Sequence, residues 1–167
     1  EDLEQFKIDS VYKEGMCVVA QGQLQLEEKL NDSTYTFENS VHLPKDLNEG
    51  MFKISSQGCE RLNAIEIIPN KLETIHREYH LTDLKMKEWI ESDLDEDLLK
   101  VAVIERHHQT GNIGLGMLKG LKLKSGAIAT TISHDSHNLI VCGTNDQDML
   151  VATKQLEVIG GGIVIVN

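Results

Sequence analysis

Residues 130–146, "TTISHDSHNLIVCGTND", place His134, Asp135, Ser136, His137 and Asn138 in five consecutive positions between two apolar runs. Two imidazoles, a carboxylate, a hydroxyl and a carboxamide are the groups that ligate metal, move protons or pair with polar ligands. Three readings fit these types: a metal site, a loop facing a substrate or an interface, and a turn whose side chains serve only their own backbone. His134 and His137 stand three apart, so they would share a metal only if the chain curls, with Asp135 or Glu105 supplying a third ligand. A second imidazole pair, His107-His108, follows Glu105-Arg106 at the end of an apolar run. It reads as a strand end with one ring buried and the other solvated.

The spacings that identify known sites are missing. H-E-x-x-H, H-x-E with P-C-x-x-C, and G-x-S-x-G do not occur. A dinucleotide fingerprint opening at Gly114 would need Gly where Lys119 stands, and a P-loop opening at Gly111 would need Lys where Met117 stands. Those glycines therefore read as hairpin residues. The acidic stretch "EWIESDLDED" (88–97) reads as a solvated loop, because a calcium loop opening at Asp93 would need Gly and Glu where Leu98 and Ile104 stand.

The elements that position these residues are mostly strands. "SVYKEGMCVVAQGQ" (10–23) reads as a hairpin around Lys13-Glu14-Gly15. From Leu24 to Gly50 no period is sustained, which assigns a linker or boundary there and a new domain near Met51. "FKISSQG", "ERLNAIEIIPN" and "LETIHREYHL" follow as successive strands, the last two turning at Pro69-Asn70. "LLKVAVIERHH" (98–108) is a buried strand whose end emerges at a surface, and "IGLGMLKGLKLKSGAIATTIS" reads as a hairpin around Lys124-Ser125-Gly126 with close backbone approach at glycine. "NLIVCGT" is a further strand. A helix is expected from Asn145 to Ile159, with Thr144 and Gln147 as capping box, Met149, Ala152, Leu156 and Ile159 on the buried face, and Gly160-Gly161-Gly162 as the stop. "IVIVN" closes as a strand. The fold class is α+β: a strand-rich mixed or antiparallel sheet with few packed helices, preceded by the hairpin of a small β domain.

A chain of 167 residues holds one domain with a full core, or one domain plus part of a neighbour. Its 27 acidic against 16 basic side chains give a field that repels phosphate backbones, so nucleic acid is not an expected partner. No apolar run approaches a membrane span, and Glu1-Asp2-Leu3-Glu4 lacks the order of a signal peptide, which points to the cytoplasm. Cys17, Cys59 and Cys142 have no paired spacing and read as buried thiols. The first residue, Glu1, and the final "GGGIVIVN" both read as cuts in a longer chain.

Residues 102–150 carry E-R-H, T-G-N-I-G, G-A-I-A and H-D-S-H-N in the order found in the C-terminal domain of adenine deaminases, which this stretch closely resembles. "AIEIIPNKLET" is similar to the strand pair that opens that domain, "GGGIVIVN" to its next strand, and "VYKEGMCVVAQGQ" to the last hairpin of the small β domain that amidohydrolases fold around their barrel. The resemblance implies a division into residues 1–50, the small-domain tail plus linker, and 51–167, the C-terminal domain truncated at its end. It implies a parent enzyme that hydrolyses adenine to hypoxanthine and ammonia in purine salvage, using a divalent metal (manganese, iron or zinc) held by a (β/α)8 barrel. The H-x-H pair of that barrel does not occur here, so this chain is expected to bind no metal and to be inactive alone. Glu105, His107, His108, His134, Asp135, His137 and Asn138 become candidates for a polar edge, with Arg106, that meets the barrel mouth or a second subunit. The implied partners are adenine, the rest of the same polypeptide and further copies in a homo-oligomer. The alternatives are a non-catalytic accessory or oligomerisation domain with a structural loop, and a small metal hydrolase built on His107, His108, His134 and His137.

Overall fold

The computed structural model describes residues 4–25, 39–84 and 88–167, and the chain divides into two compact units, Glu1–Thr36 and Phe37–Asn167. The first unit is a three-stranded antiparallel sheet of β1 (Val11–Lys13), β2 (Met16–Ala20) and β3 (Gln23–Leu24). Glu14 (φ 51°) and Gly15 (φ 80°) turn the first hairpin, Gln21 (φ 53°) and Gly22 (φ 72°) the second. Positive φ at both central residues matches the right-handed twist of the flanking strands. The hairpin expected around Lys13-Glu14-Gly15 is present, with β3 added beside it.

The second unit holds the remaining strands: β4 (Ile54–Ser55), β5 (Arg61–Ile67), β6 (Thr74–His80), β7 (Trp89–Ile90), β8 (Leu98–Ile104), β9 (Ile113–Lys119), β10 (Ala127–Thr130), β11 (Leu139–Gly143) and β12 (Ile163–Val166). Seven form one sheet in the order β12-β10-β11-β8-β9-β5-β6, while β4 and β7 pair separately. Every neighbour pair in the large sheet is antiparallel except β5 with β9. This is the mixed, strand-rich α+β architecture expected from the sequence.

One helix, α1 (Asp146–Ile159), packs on a single face of that sheet. Met149, Ala152 and Leu156 meet Ala102, Ile104, Ala127, Ala129, Leu139 and Val141 in one core cluster. Val41, Leu43, Leu47 and Phe52 join the same cluster, so the described part of the segment read as linker, 39–50, contributes core side chains. Its lack of period reflects an irregular path fixed by isolated apolar anchors rather than by a strand or helix. Residues 26–38 of that segment lie outside the described residues. Farther along the same face, Leu81, Leu84 and Ile90 cover Leu62, Ala64, Leu98 and Met117.

Four expectations require correction. β9 and β10 do not form a hairpin: β9 is flanked by β8 and β5, so residues 120–126 must cross to the far side of the β8–β11 pair. The hairpin partner of β9 is β8, in register Ile104↔Ile113. The close approach at Gly126 is nevertheless present, against Val166 of β12. The helix cap is Asn145, whose Oδ1 accepts from the Asp148 amide at 2.8 Å, because the Thr144 hydroxyl donates to Gly126 O instead. Ile159 is half-exposed, and Thr153 takes a buried place with its hydroxyl donating to Met149 O at 2.8 Å. Among the cysteines only Cys142 is buried; Cys17 lies on the small sheet and Cys59 in a loop, both exposed.

Candidate functional site

The β-register brings the two imidazole-bearing segments to the same end of the sheet. Leu139, which opens β11, pairs with Ile104, which closes β8, so residues 131–138 and 105–112 leave the sheet side by side. The strand-to-strand connection expected for His134–Asn138 is therefore present, and its neighbour is the β8–β9 turn.

Arg106 fastens the two together. Its side chain is buried, Nε donates to His137 O at 2.6 Å, and Nη1 donates to Ser40 O at 2.5 Å and Ser40 Oγ at 2.9 Å. A buried guanidinium needs such acceptors, and these come from two separate segments of chain. The His42 amide donates to Arg106 O, and Gln109 Nε2 to Leu43 O, so residues 40–43 are laced to the same turn. His107 Nε2 lies 3.1 Å from Ser136 O, a second tie between the loops.

Glu105 is a turn-builder. Its Oε1 accepts from the amides of His107 (2.5 Å) and His108 (2.8 Å), and Oε2 from the Thr110 amide and hydroxyl (both 3.0 Å). The Thr110 amide first, with His108, His107 and the Thr110 hydroxyl, outweighs desolvation and holds the carboxyl down to about 2. A folded value below the ordinary carboxylate value near 4.3 means that the contribution is complete above that value and is lost as pH falls through about 2. We expect the Glu105 carboxyl carbon to titrate by NMR with a midpoint near 2, and the His107, His108 and Thr110 amides to lose exchange protection over the same range. A midpoint near the ordinary value would contradict this reading of the turn.

Within the candidate loop, Asp135 (φ 67°) and His137 (φ 51°) occupy the left-handed region, which Asp, Asn and His enter more readily than other side chains. The His137 amide donates to Ser133 O at 2.9 Å and the Ser136 amide to His134 O at 3.1 Å. His134 Nδ1 and Asp135 Oδ1 lie 3.0 Å apart, both almost wholly exposed. Among the described residues the His137 ring takes no hydrogen bond or ion pair, and it is exposed. Asn138 is half-buried.

His107 and His108 are both exposed, with ring centroids 6.3 Å apart, which corrects the expectation that one ring is buried. The strand ends at Ile104, so both rings belong to the turn beyond it. The described residues do not fit a divalent metal. Glu105 is saturated by four donors, and the described residues contain no group of three His, Cys, Asp or Glu positioned to hold an ion. The acidic stretch folds likewise: Asp93 Oδ1 accepts from the Asp95 and Glu96 amides, an Asx turn that uses the carboxylate internally. Sequence reasoning grouped Arg106 with this edge but missed Ser40 and Gln109, which carry no periodic or motif signal. An arginine that ends an apolar run is a signal for a buried tie.

The family model described as the adenine deaminase C-terminal domain matches residues 73–167. The chain is 40% identical over 167 residues to the adenine deaminase of Lysinibacillus sphaericus (strain C3-41), covering 99% of this chain and 28% of that protein. It is 52% identical over 126 residues to the Bacillus licheniformis adenine deaminase, covering 75% of this chain and 21% of that protein. A Clostridium botulinum (strain Langeland) adenine deaminase is 40% identical over 170 residues, covering all of this chain and 28% of that protein. The chain is thus similar along its length to one portion of larger proteins named adenine deaminase. The chain belongs to the adenine deaminase C-terminal domain family, and it spans little more than a quarter of the length of the relatives it matches along its whole extent.

Proposed function

We propose that this chain is the C-terminal portion of an adenine aminohydrolase, an enzyme that adds water at the amine-bearing carbon of adenine and releases ammonia and hypoxanthine. The observation that carries the reading is similarity at 40% identity along 99% of the chain to a protein named adenine deaminase. The divalent metal that activates water in such chemistry would be held elsewhere in the polypeptide, since the described residues here bring no three His, Cys, Asp or Glu together to hold an ion.

Loop 134–138, fixed by Arg106 and His107, serves as a preset polar edge facing the purine site or the contact between domains. What supports this is a backbone held from both sides while the His137 imidazole stays exposed. Such a ring can donate to or accept from a purine nitrogen or the departing amine. The rest of the polypeptide is the direct partner, with a homo-oligomer as the assembly and the cytoplasm as the compartment. No helix among the described residues is long and apolar enough to cross a membrane. A second reading, a structural loop in an accessory domain, is favoured by the left-handed backbone at Asp135 and His137, which by itself accounts for two of the residue types.

The test is ammonia release from adenine with added manganese. The full-length polypeptide should turn over, and residues 1–167 alone should not. Turnover by the 167-residue chain, or none by the full-length polypeptide, would overturn the proposal.

A further inference from the structure

The large sheet has a second face, and its composition is unlike a solvated one. Side chains alternate along a strand, so the residues of β8, β10, β11 and β12 that point away from α1 form rows across the sheet. The register aligns Ile165 with Ile128 and, through Cys142, with Val101; the adjacent row runs from Ile163 through Thr130 to Ile140 and Val103. At the end of each row β9 supplies a glycine, Gly116 opposite Val101 and Gly114 opposite Val103. A Cβ at either glycine would meet nothing closer than 3.7 Å, so β9 adds no side chain and leaves the surface low.

On these four strands the face carries no charged side chain, in a chain whose net charge is −11. Antiparallel sheets with one wet face alternate apolar and polar residues, whereas strands covered on both faces read as continuous apolar runs. "AIAT", "LIVCG" and "IVIV" are of the second kind. Nevertheless Val103 is 37%, Ile163 56% and Ile165 69% exposed, whereas Cys142 and Leu99 on the same face are already covered, so the bare part is the β12 edge and the Val103 end.

We infer that this face is a docking surface, and that its occupant is a layer of the same polypeptide from outside residues 1–167. The inference rests on the reading of the chain as one portion of a longer enzyme. More than two-thirds of the length of the relatives lies beyond this chain, ample for a covering layer. A second copy is the other occupant, and the dependence on enzyme concentration in the test separates the two.

The test uses the full-length enzyme carrying Val103→Cys or, separately, Ile165→Cys. Modification by a water-soluble maleimide is followed peptide by peptide, so the native cysteines can stay. Cys142 cannot report in their place, since burial pushes its thiol up to about 12. Both introduced thiols should react about a hundredfold more slowly than in the urea-unfolded enzyme, with no dependence on enzyme concentration. Rates within a few-fold of the unfolded enzyme would show a bare face, and protection that disappears on dilution would assign it to a second copy; either result overturns the inference. Adenine deamination measured on the same preparations separates failure of the docking inference from failure of the enzyme reading.

Discussion

Replacing Lys100 with alanine is expected to destabilise the second unit by about 3 kcal/mol, the loss that follows removal of one partner of a buried ion pair. Lys100 sits in the middle of β8 with its side chain 1% exposed. Its Nζ lies 2.6 Å from Asp146 Oδ1 and 3.1 Å from Glu91 Oε2. Asp146 opens α1 and is itself largely buried, so the ammonium joins the helix to the sheet. The backbone beside it is bonded too: the Lys100 amide donates to Ser92 Oγ, and that hydroxyl donates to Gly143 O. Without the lysine, the Asp146 carboxylate is left in a poorly hydrated place with no cation. Glu91 is mostly exposed and adds little. Urea unfolding followed through Trp89, the sole tryptophan, reads the effect directly. Lys100→Met with Asp146→Asn should recover much of the loss, because it removes both charges. A midpoint for Lys100→Ala equal to that of the parent would contradict the account.

The second large effect is expected at Gly126. Its φ is +78°, and a Cβ there would stand 1.8 Å from Val166 O and 2.7 Å from the Val166 carbonyl carbon. Alanine must therefore take a left-handed backbone and also push neighbouring main chains apart, which together cost about 3 kcal/mol or more. The strand that yields is β12, an edge strand paired only with β10. Hydrogen exchange at Ile163–Val166 should become fast in Gly126→Ala while the β8 and β11 amides stay protected. Unchanged protection of β12 would show that the close contact is not a constraint.

The outcome at particular residues shows what kind of information the sequence holds. Strands β5, β6, β8 and β11 were legible because apolar runs and turn residues are local signals, and α1 was legible from its period and its glycine stop. Strand partnership was not legible. β9 and β10 lie on either side of seven residues rich in turn formers, and only the prior claim of β8 and β5 on β9 keeps them apart. The cap moved from Thr144 to Asn145 for a similar reason, since the threonine hydroxyl is engaged by Gly126 from another strand. Lys100 was readable as an anomaly: a lysine inside "LLKVAVI" requires a buried carboxylate, although not which one. In the candidate site, the density of polar residues in H-D-S-H-N was plain, and so was its place between strands. That Glu105 would be saturated by its own turn, and that Arg106 would reach Ser40, depends on contacts 5 and 66 residues apart.

Loop 134–138 is the central claim, and His137 is the side chain through which it is tested. The decisive comparison is adenine deamination by the full-length enzyme and by its His137→Ala and His137→Asn variants, with the urea midpoint of each as control. Asparagine tolerates the left-handed backbone at this position, so it separates loss of the imidazole from strain in the turn. The account predicts that the asparagine variant keeps the parent midpoint within error, that alanine loses about 1 kcal/mol to the left-handed backbone, and that both lose about tenfold or more in kcat/KM, the worth of one hydrogen bond to the substrate. Unchanged kinetics in both would contradict it, and the loop would then be a structural turn.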